Sequence, residues 1–370
     1  MTRLSVSAVV VVSALFTAAA AGCGGNASGT DASPAIEPSP AANTGFSSSS
    51  PDERFIAISG TSDHDIWAVG WRDASPRWVL RHFDGASWSL TTADAPGLPF
   101  GVWARSPDDA WAVGSNGAAL HWQGMRWDVI DTSAILTPGT PASPCTAGCS
   151  GPQTSLASVF SVAPDDVWAV GYAFTGTPSN TNPALVVHYD GKTWTRSTVD
   201  APDGLFRVWG SASNDVWAAG AQGITFHWDG MQWSRVDAGT SLYRLGLWGS
   251  AKDDVWAVGN GGMVTRFDGR AWSRISDEGI TQFDAVSGSA ANNVWAVGSF
   301  QRSPTASAPL VTGRAVGHWD GSHWATCKAA KSRSLKDLWV SPTGRVWGLD
   351  NGIGGGVVEL PSTLPSQCEP

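Results

Sequence analysis

Charge is scarce in this 370-residue chain, and what there is leans acidic. Only 15% of residues are charged, with 23 Lys and Arg against 32 Asp and Glu, so no basic surface is available to neutralise a phosphate backbone. Nucleic acid is excluded as a partner on that ground. Glutamate is limited to Glu37, Glu53, Glu278, Glu359 and Glu369, and four of these lie in a low-complexity N-terminal segment or near the C-terminus. Glycoside hydrolysis needs two carboxylates close together across a bond, and this set marks no such pair. Tyr172, Tyr189 and Tyr243 are the only tyrosines, too scattered to propose a tyrosine nucleophile with an acidic partner. After the first twenty or so residues no apolar run is long enough to span a bilayer.

Tryptophan and glycine are in excess, with 22 and 43 residues respectively, well above ordinary usage. Aligned on an acidic residue two before a tryptophan, one phrase recurs: DIWAVG at Trp67, DAWAVG at Trp111, DVWAVG at Trp168, DVWAAG at Trp217, DVWAVG at Trp256 and NVWAVG at Trp295. A degraded seventh copy reads RVWGLD at Trp347. The spacing averages about 47 residues, the period of propeller blades. Each unit parses into four strands. In the fourth they are LFRVWGS, VWAAG, ITFHW and MQWSRV, with Asp229-Gly230 as a hairpin signal before the last. Sheets with aromatic residues on both faces must lie between similar sheets, and seven of them in a circle bury every face. The predicted fold is all-β: one domain, residues 54–370, forming a seven-bladed β-propeller of four-stranded antiparallel blades. The seventh unit has no Asp-Gly turn and no fourth-strand tryptophan, so its outer strand is either absent or supplied by the segment around Phe46.

Twenty of the 22 tryptophans occupy repeat positions and therefore read as packing between blades. Five of the seven histidines, His82, His121, His188, His227 and His318, also share one repeat position. One histidine per blade places them far apart, which implies neither a metal cluster nor a catalytic triad. No catalytic residue, metal site or cofactor motif is assigned.

Topology then sorts the surface. In a four-stranded meander the turns between strands one and two and between three and four share one side; the uniform SxxDD and Asp-Gly turns belong there. Irregular insertions all fall on the other side, where scaffold-borne loops usually carry function. Blade 1 inserts WRDASPRW with Trp71 and Trp78, the two tryptophans outside repeat positions. Blade 3 contributes Tyr172 and Phe174, and blade 6 contributes Phe300 and Arg302. Along the axis, the residue two before each first-strand aromatic is small at Ala57, Gly101, Ser158, Gly246 and Ala285. Arg207 and Asp337 break that rule; they either line the channel mouth or form a structural ion pair. Asp203, Asp277 and Asp284 add carboxylates near this face without a pattern that singles them out. Two readings follow: a non-catalytic module binding a protein through the loop-rich face, or a carbohydrate-binding or carbohydrate-active propeller using Trp71, Trp78 and Tyr172.

The N-terminus reads as an address. Arg3 precedes an apolar run that ends in Ala20-Ala21-Gly22-Cys23. This resembles a bacterial lipoprotein signal, with Ala20 where leucine is usual. The resemblance implies removal of residues 1–22, acylation of Cys23, and export to the cell envelope, at the outer membrane or cell surface, with the membrane as a partner through the lipid. An ordinary secretory signal cut nearby is the alternative. Residues 23–53, rich in Ser, Ala, Pro and Gly, cannot bury a core and read as a tether. Lipidation of one of five cysteines leaves a close pair, Cys145 and Cys149, and a distant pair, Cys327 and Cys368, both of which an oxidising compartment would let close. The repeats resemble bacterial BNR/kelch-like tryptophan-rich propellers from about Arg54 to Leu360. The sialidase Asp-box, Ser-x-Asp-x-Gly-x-Thr-Trp, is similar but one residue longer than the Asp-Gly-x-x-Trp here. A turn role carries over with that likeness; sialidase activity does not.

Overall fold

The computed structural model describes residues 45–47, 52–73, 75–136, 153–174, 182–277, 280–302, 310–350, 352 and 355–364. Cys23, Cys145, Cys149 and Cys368 lie outside them, and so do the lipidation site, the close cysteine pair and one end of the distant pair. Its other end, Cys327, is buried on the strand Trp324–Ala330.

Seven four-stranded antiparallel sheets make up the fold. Blade 4 shows the pattern: Leu205–Ala212, Asp215–Gly220, Thr225–Trp228 and Trp233–Arg235, in that order from the axis outward. The innermost strands of the other blades are Glu53–Ser62, Pro99–Ser106, Gln153–Ala163, Arg244–Ala251, Gln282–Ala290 and Asp337–Val340. Each packs on the innermost strand of the next blade, and that of blade 7 packs on that of blade 1, so the ring is closed.

Blade 7 supplies only three strands itself, Asp337–Val340, Val346–Leu349 and Gly356–Leu360. Its outer strand is Phe46–Ser47, from the segment read as tether, with Phe46 opposite Val357 and Ser47 opposite Gly356. The Phe46 ring then meets blade 1, lying 5.1 Å from Phe55 and 4.7 Å from Trp88, with the Arg81 guanidinium 4.9 Å from its centre. Glu53, also in that segment, is fully buried and holds Arg72 and Arg81 at 2.8 and 2.9 Å.

The second-strand tryptophans are among the most buried large side chains, none of the seven exceeding 3% exposure. Trp67 meets Trp122 and Trp127 of the next blade at 5.0 and 5.1 Å, and Trp168 meets Trp228 and Trp233 at 5.2 and 5.3 Å. Such tilted and edge-on contacts are the favoured geometry for indole rings. On its other face each indole carries a cross-strand partner. His82, His121, His188, His227 and His318 stack on Trp67, Trp111, Trp168, Trp217 and Trp295 at 4.0–4.4 Å.

Register explains this pairing. The histidine lies opposite the tryptophan on the third strand, and its Nε2 reaches the acidic residue two before that tryptophan: His82 to Asp65 at 2.7 Å, His121 to Asp109 at 2.8 Å, His188 to Asp166 at 2.7 Å and His227 to Asp215 at 2.6 Å. Blade 5 substitutes Arg266 for histidine, with Nε 2.6 Å from Asp254. In blade 6 Asn293 replaces the carboxylate, and burial, without a facing charge at that contact, pushes His318 below its ordinary range. Blade 7 reverses the pair: Arg345 occupies the acidic position and Glu359 the basic one, joined by two hydrogen bonds of 2.8 Å. The periodic histidines are thus clasps within single blades.

The Asp-Gly turns and the turns between strands one and two do share one side. Gly230 has φ of 94°, and a side chain there would collide with Asn214 of the first turn at 2.7 Å. Asp229 Oδ1 accepts the backbone N–H groups of Met231 and Gln232, which closes the turn.

Candidate functional site

On the opposite side, the innermost strands of blades 1–6 each carry a β-bulge, at Ile56, Phe100, Ala157, Phe206, Leu245 and Asp284. Lys336 holds the matching place in blade 7. An unpaired residue at a bulge is re-aimed out of the sheet; the six bulge residues and Lys336, whose own N–H pairs with the Leu349 carbonyl at 2.9 Å, are all half-buried. Five are apolar. The other two, in neighbouring blades, form an ion pair at 3.4 Å.

One residue further along lie Arg207 and Asp337. Burial pushes the Asp337 carboxyl up to about 6, partly countered by Arg207 and by backbone N–H groups of Ile58 and Leu338, while Asp284 adds to the rise. Asp284 is likewise raised by burial, against Lys336, Gln282 and Arg207. Arg207 belongs to blade 4, whereas these acids belong to blades 6 and 7 and share its field across the axis. The three charges therefore face one channel.

Contact between them is another matter. Among the described residues no carboxylate lies within ion-pair distance of Arg207, and its guanidinium makes one hydrogen bond, from Nη1 to the Phe206 carbonyl at 3.1 Å. Of the two alternatives for Arg207 and Asp337, the structural ion pair is not formed. Asp337 Oδ2 instead accepts the Ile58 N–H at 2.9 Å, a link between blades 7 and 1 across the closing seam.

Beside the mouth an aromatic strip crosses three blades. Tyr172 of blade 3 and Phe206 of blade 4 both crowd Gly204, where a side chain would sit 3.1 and 3.3 Å from them. Phe206 lies parallel to Tyr243 of blade 5, with centres 6.0 Å apart and an angle of 11°. Burial raises the Tyr172 hydroxyl pKa against a hydrogen bond to Ser155, and burial with the charge of Asp203 raises that of Tyr243. Asp203 accepts from the Gly204 N–H at 2.9 Å and from Gln222 at 3.3 Å.

The neighbouring Arg244 is fully buried, where blades 1, 3, 4 and 6 have Phe55, Leu156, Leu205 and Phe283. It donates to Thr265 Oγ1 at 2.7 Å and to the Ala238 carbonyl at 3.2 Å, and lies 4.6 Å over Trp272. Burial lowers its pKa to about 10. Its bond to Ala238 fastens the loop that leads to Tyr243.

The other sequence candidates are dispersed. Trp71 and Trp78 face one another on the strands Asp65–Arg72 and Ser75–Phe83, so the expected insertion is mostly lengthened hairpin. Trp78 is wholly buried, with Nε1 donating to the Gly97 carbonyl at 3.0 Å, and it packs between blades 1 and 2. Phe300 is likewise core, 2% exposed in the cluster around Val294 and Ala315. Both are corrected from ligand contacts to packing, because strand extension turned them inward. Phe174 is half-buried and Arg302 exposed, on the second strands of blades 3 and 6. Arg207, Asp337 and Tyr172 are the candidates that the fold gathers around the mouth.

On the turn side, an open notch of about 740 Å³ between blades 4 and 5 is lined by Trp217, His227, Lys252, Phe267 and Arg270. Phe267 stands there where blades 2 and 4 have Trp122 and Trp228. Among the described residues no group of three or more His, Cys, Asp or Glu is placed to hold a metal ion.

No protein-family model matches the chain, and no curated protein matches it. Solved structures do. A structure described as YCF48 bound to D1 peptide aligns with a TM-score of 0.56 at 16% identity, covering 89% of this chain and 99% of that one. YCF48 from Cyanidioschyzon merolae aligns at 0.54 and 15%, covering 84% and 97%. The WD40 repeats of RRP9 align at 0.57 and 8%, covering 83% and 94%. At these identities the likeness establishes the shared fold: the chain is a seven-bladed β-propeller.

Proposed function

We propose that this protein is a non-catalytic binding propeller, exported and held on the cell envelope by lipid at Cys23, which captures a segment of a partner protein at the axial mouth of its loop-bearing face. The observation that carries this reading is Arg207. It is a half-buried guanidinium with a single hydrogen bond among the described residues, set between an apolar ring and an aromatic strip. Apolar surface with a few convergent polar groups is the usual composition of a binding site. A propeller of the same fold is described as bound to a peptide, which supports a peptide as the ligand. The lipoprotein-like signal ending at Cys23 and the tether that follows support presentation away from the membrane.

Cross-linking of the native protein on cells, compared with Arg207→Ala and Phe206→Ala, tests the site. One adduct lost in both variants is expected. Adducts that persist in both would move the function elsewhere. A Cys23→Ser variant should leave the membrane fraction, whereas its retention there would remove the anchor. A second reading is favoured by one observation, the Asp203 carboxylate and Gln222 amide beside the aromatic strip, a set that also suits sugars. Saturable binding on a glycan array, with or without turnover of chromogenic glycosides, would select it.

A further inference from the structure

Resting on the peptide-binding reading, we infer that the axial mouth is a receptor for a free C-terminus: Arg207 holds the terminal carboxylate, and the bulge ring holds an apolar side chain on that same last residue. Hydrogen-bond accounting carries the first half. A guanidinium has five N–H donors, and Arg207 commits one, to the Phe206 carbonyl. Lys336 gives its ammonium to Asp284, which also accepts from Gln282 at 2.6 Å. Asp337 is occupied by the Ile58 N–H. Among the described residues Arg207 thus keeps N–H donors without a protein partner, and the group that would complete it is an acceptor. Paired N–H donors in a plane fit a carboxylate with two hydrogen bonds. Among the described residues neither Asp284 nor Asp337 touches the guanidinium, so its remaining donors stay open to a ligand.

Spacing carries the second half. Phe206 and Arg207 are consecutive residues of one strand, about 3.3 Å apart along it. The ring of Ile56, Phe100, Phe206 and Leu245 thus lies one residue nearer the mouth than Arg207. A C-terminal residue has the same arrangement, with its carboxylate and its side chain on one Cα. An internal Asp or Glu presents its carboxylate at the end of a side chain and leaves the ring to be filled by neighbours, with the chain entering and leaving through the same opening.

The test uses the whole protein on an array of hexapeptides varied at the last two positions, synthesised once with free C-termini and once as C-terminal amides. The best peptide is then measured by fluorescence anisotropy. Free acids ending in Leu, Ile, Val or Phe are expected to bind. Amidation should weaken the best of them about tenfold or more, as loss of a charge-assisted pair requires. Arg207→Ala should weaken the free acid to the level of the amide, and Phe206→Ala should erase the preference for an apolar last residue. Met231→Ala, on the turn face, should change neither. Equal binding of acid and amide by the unaltered protein would overturn the terminus inference while leaving peptide binding intact, and this comparison needs no variant to fold. Capture chiefly of peptides with cationic ends would overturn it in favour of Asp284 and Asp337. Binding of no peptide in either form would remove the underlying reading as well.

Discussion

Trp217 shows what one residue contributes here: it is 1% exposed, stacked on His227 at 4.4 Å and set against Phe267 of the next blade at 4.7 Å. Replacing it by alanine opens a cavity at a seam, and Trp217→Ala should cost about 3–5 kcal/mol in denaturant unfolding; a loss below about 1 kcal/mol would mean that the blades do not pack through their indoles. The clasps respond to acid. Burial raises the carboxyls of Asp109 and Asp215, but hydrogen bonds from His121 with Arg105, and from His227 with Ser211, outweigh it and leave both below the ordinary value of 3.8. Their stabilisation is complete above 3.8 and is lost as pH falls through the lowered values. Asp337 has the opposite sign. With its carboxyl raised to about 6, ionisation costs the fold stability as pH rises from about 4 to 6, and the cost is complete above that. Asp337→Asn keeps an acceptor for the Ile58 N–H and removes the charge. Its Tm relative to the unaltered protein should therefore rise between pH 4 and pH 8; a difference independent of pH would contradict the assignment.

At the scale of the element, the closing blade departs most from the repeat. Its outer strand is two residues from a distant part of the chain, and Phe46 packs on Phe55 and Trp88. Phe46 is half-buried, so Phe46→Ala should lower the unfolding free energy by less than the about 3–5 kcal/mol of a fully buried Phe, on the order of 1–3 kcal/mol. An unchanged midpoint would show that the ring closes without that strand. The reversed clasp in the same blade gives a double-mutant test. Arg345→Asp or Glu359→His alone leaves like or unmatched partners and should destabilise. Together they restore the acid-then-histidine order of the other blades and should recover most of the lost stability; additive losses would mean no coupling between the two positions. The missing Asp-Gly turn made the absent fourth strand legible in sequence, and Phe46 stood out as a lone aromatic in a polar segment. The extension of Asp65–Arg72 and Ser75–Phe83 into one long hairpin was not legible. Turn residues such as Asp73, Ser75 and Pro76 look alike whether they interrupt strands or merely decorate them, and only pairing across the sheet decides.

As a whole molecule the propeller divides its labour between two faces. The turn face is uniform, because Asp-Gly turns and clasps recur in nearly every blade. The loop face is irregular and surrounds a mouth where residues far apart in sequence meet. A closed ring in which every blade packs on two neighbours should unfold in one cooperative step. Calorimetry should show a single transition for the unaltered protein and, at lower temperature, for Trp217→Ala; two separated transitions would indicate blades that fold independently. The function proposed for the mouth depends on this closure, since Arg207 and Asp337 face one another only when seven sheets complete the circle.

Sequence alone determined the number of blades, their four-strand pattern, the sorting of the two faces and the packing duty of tryptophan, because each of these is written as a repeat and repetition is readable in one dimension; that the periodic histidines are clasps was decided by pairing across the sheet. The mouth was decided by tertiary structure. Arg207 and Asp337 were visible as exceptions to a column of small residues, but Phe206 and Lys336 belong to a column with no obvious rule until the bulges mark it, and Tyr243 and Gln222 are brought beside Phe206 and Asp203 only by folding. Whether Arg207 met a carboxylate or kept its donors open depended on distances across a channel, which no spacing along the chain encodes.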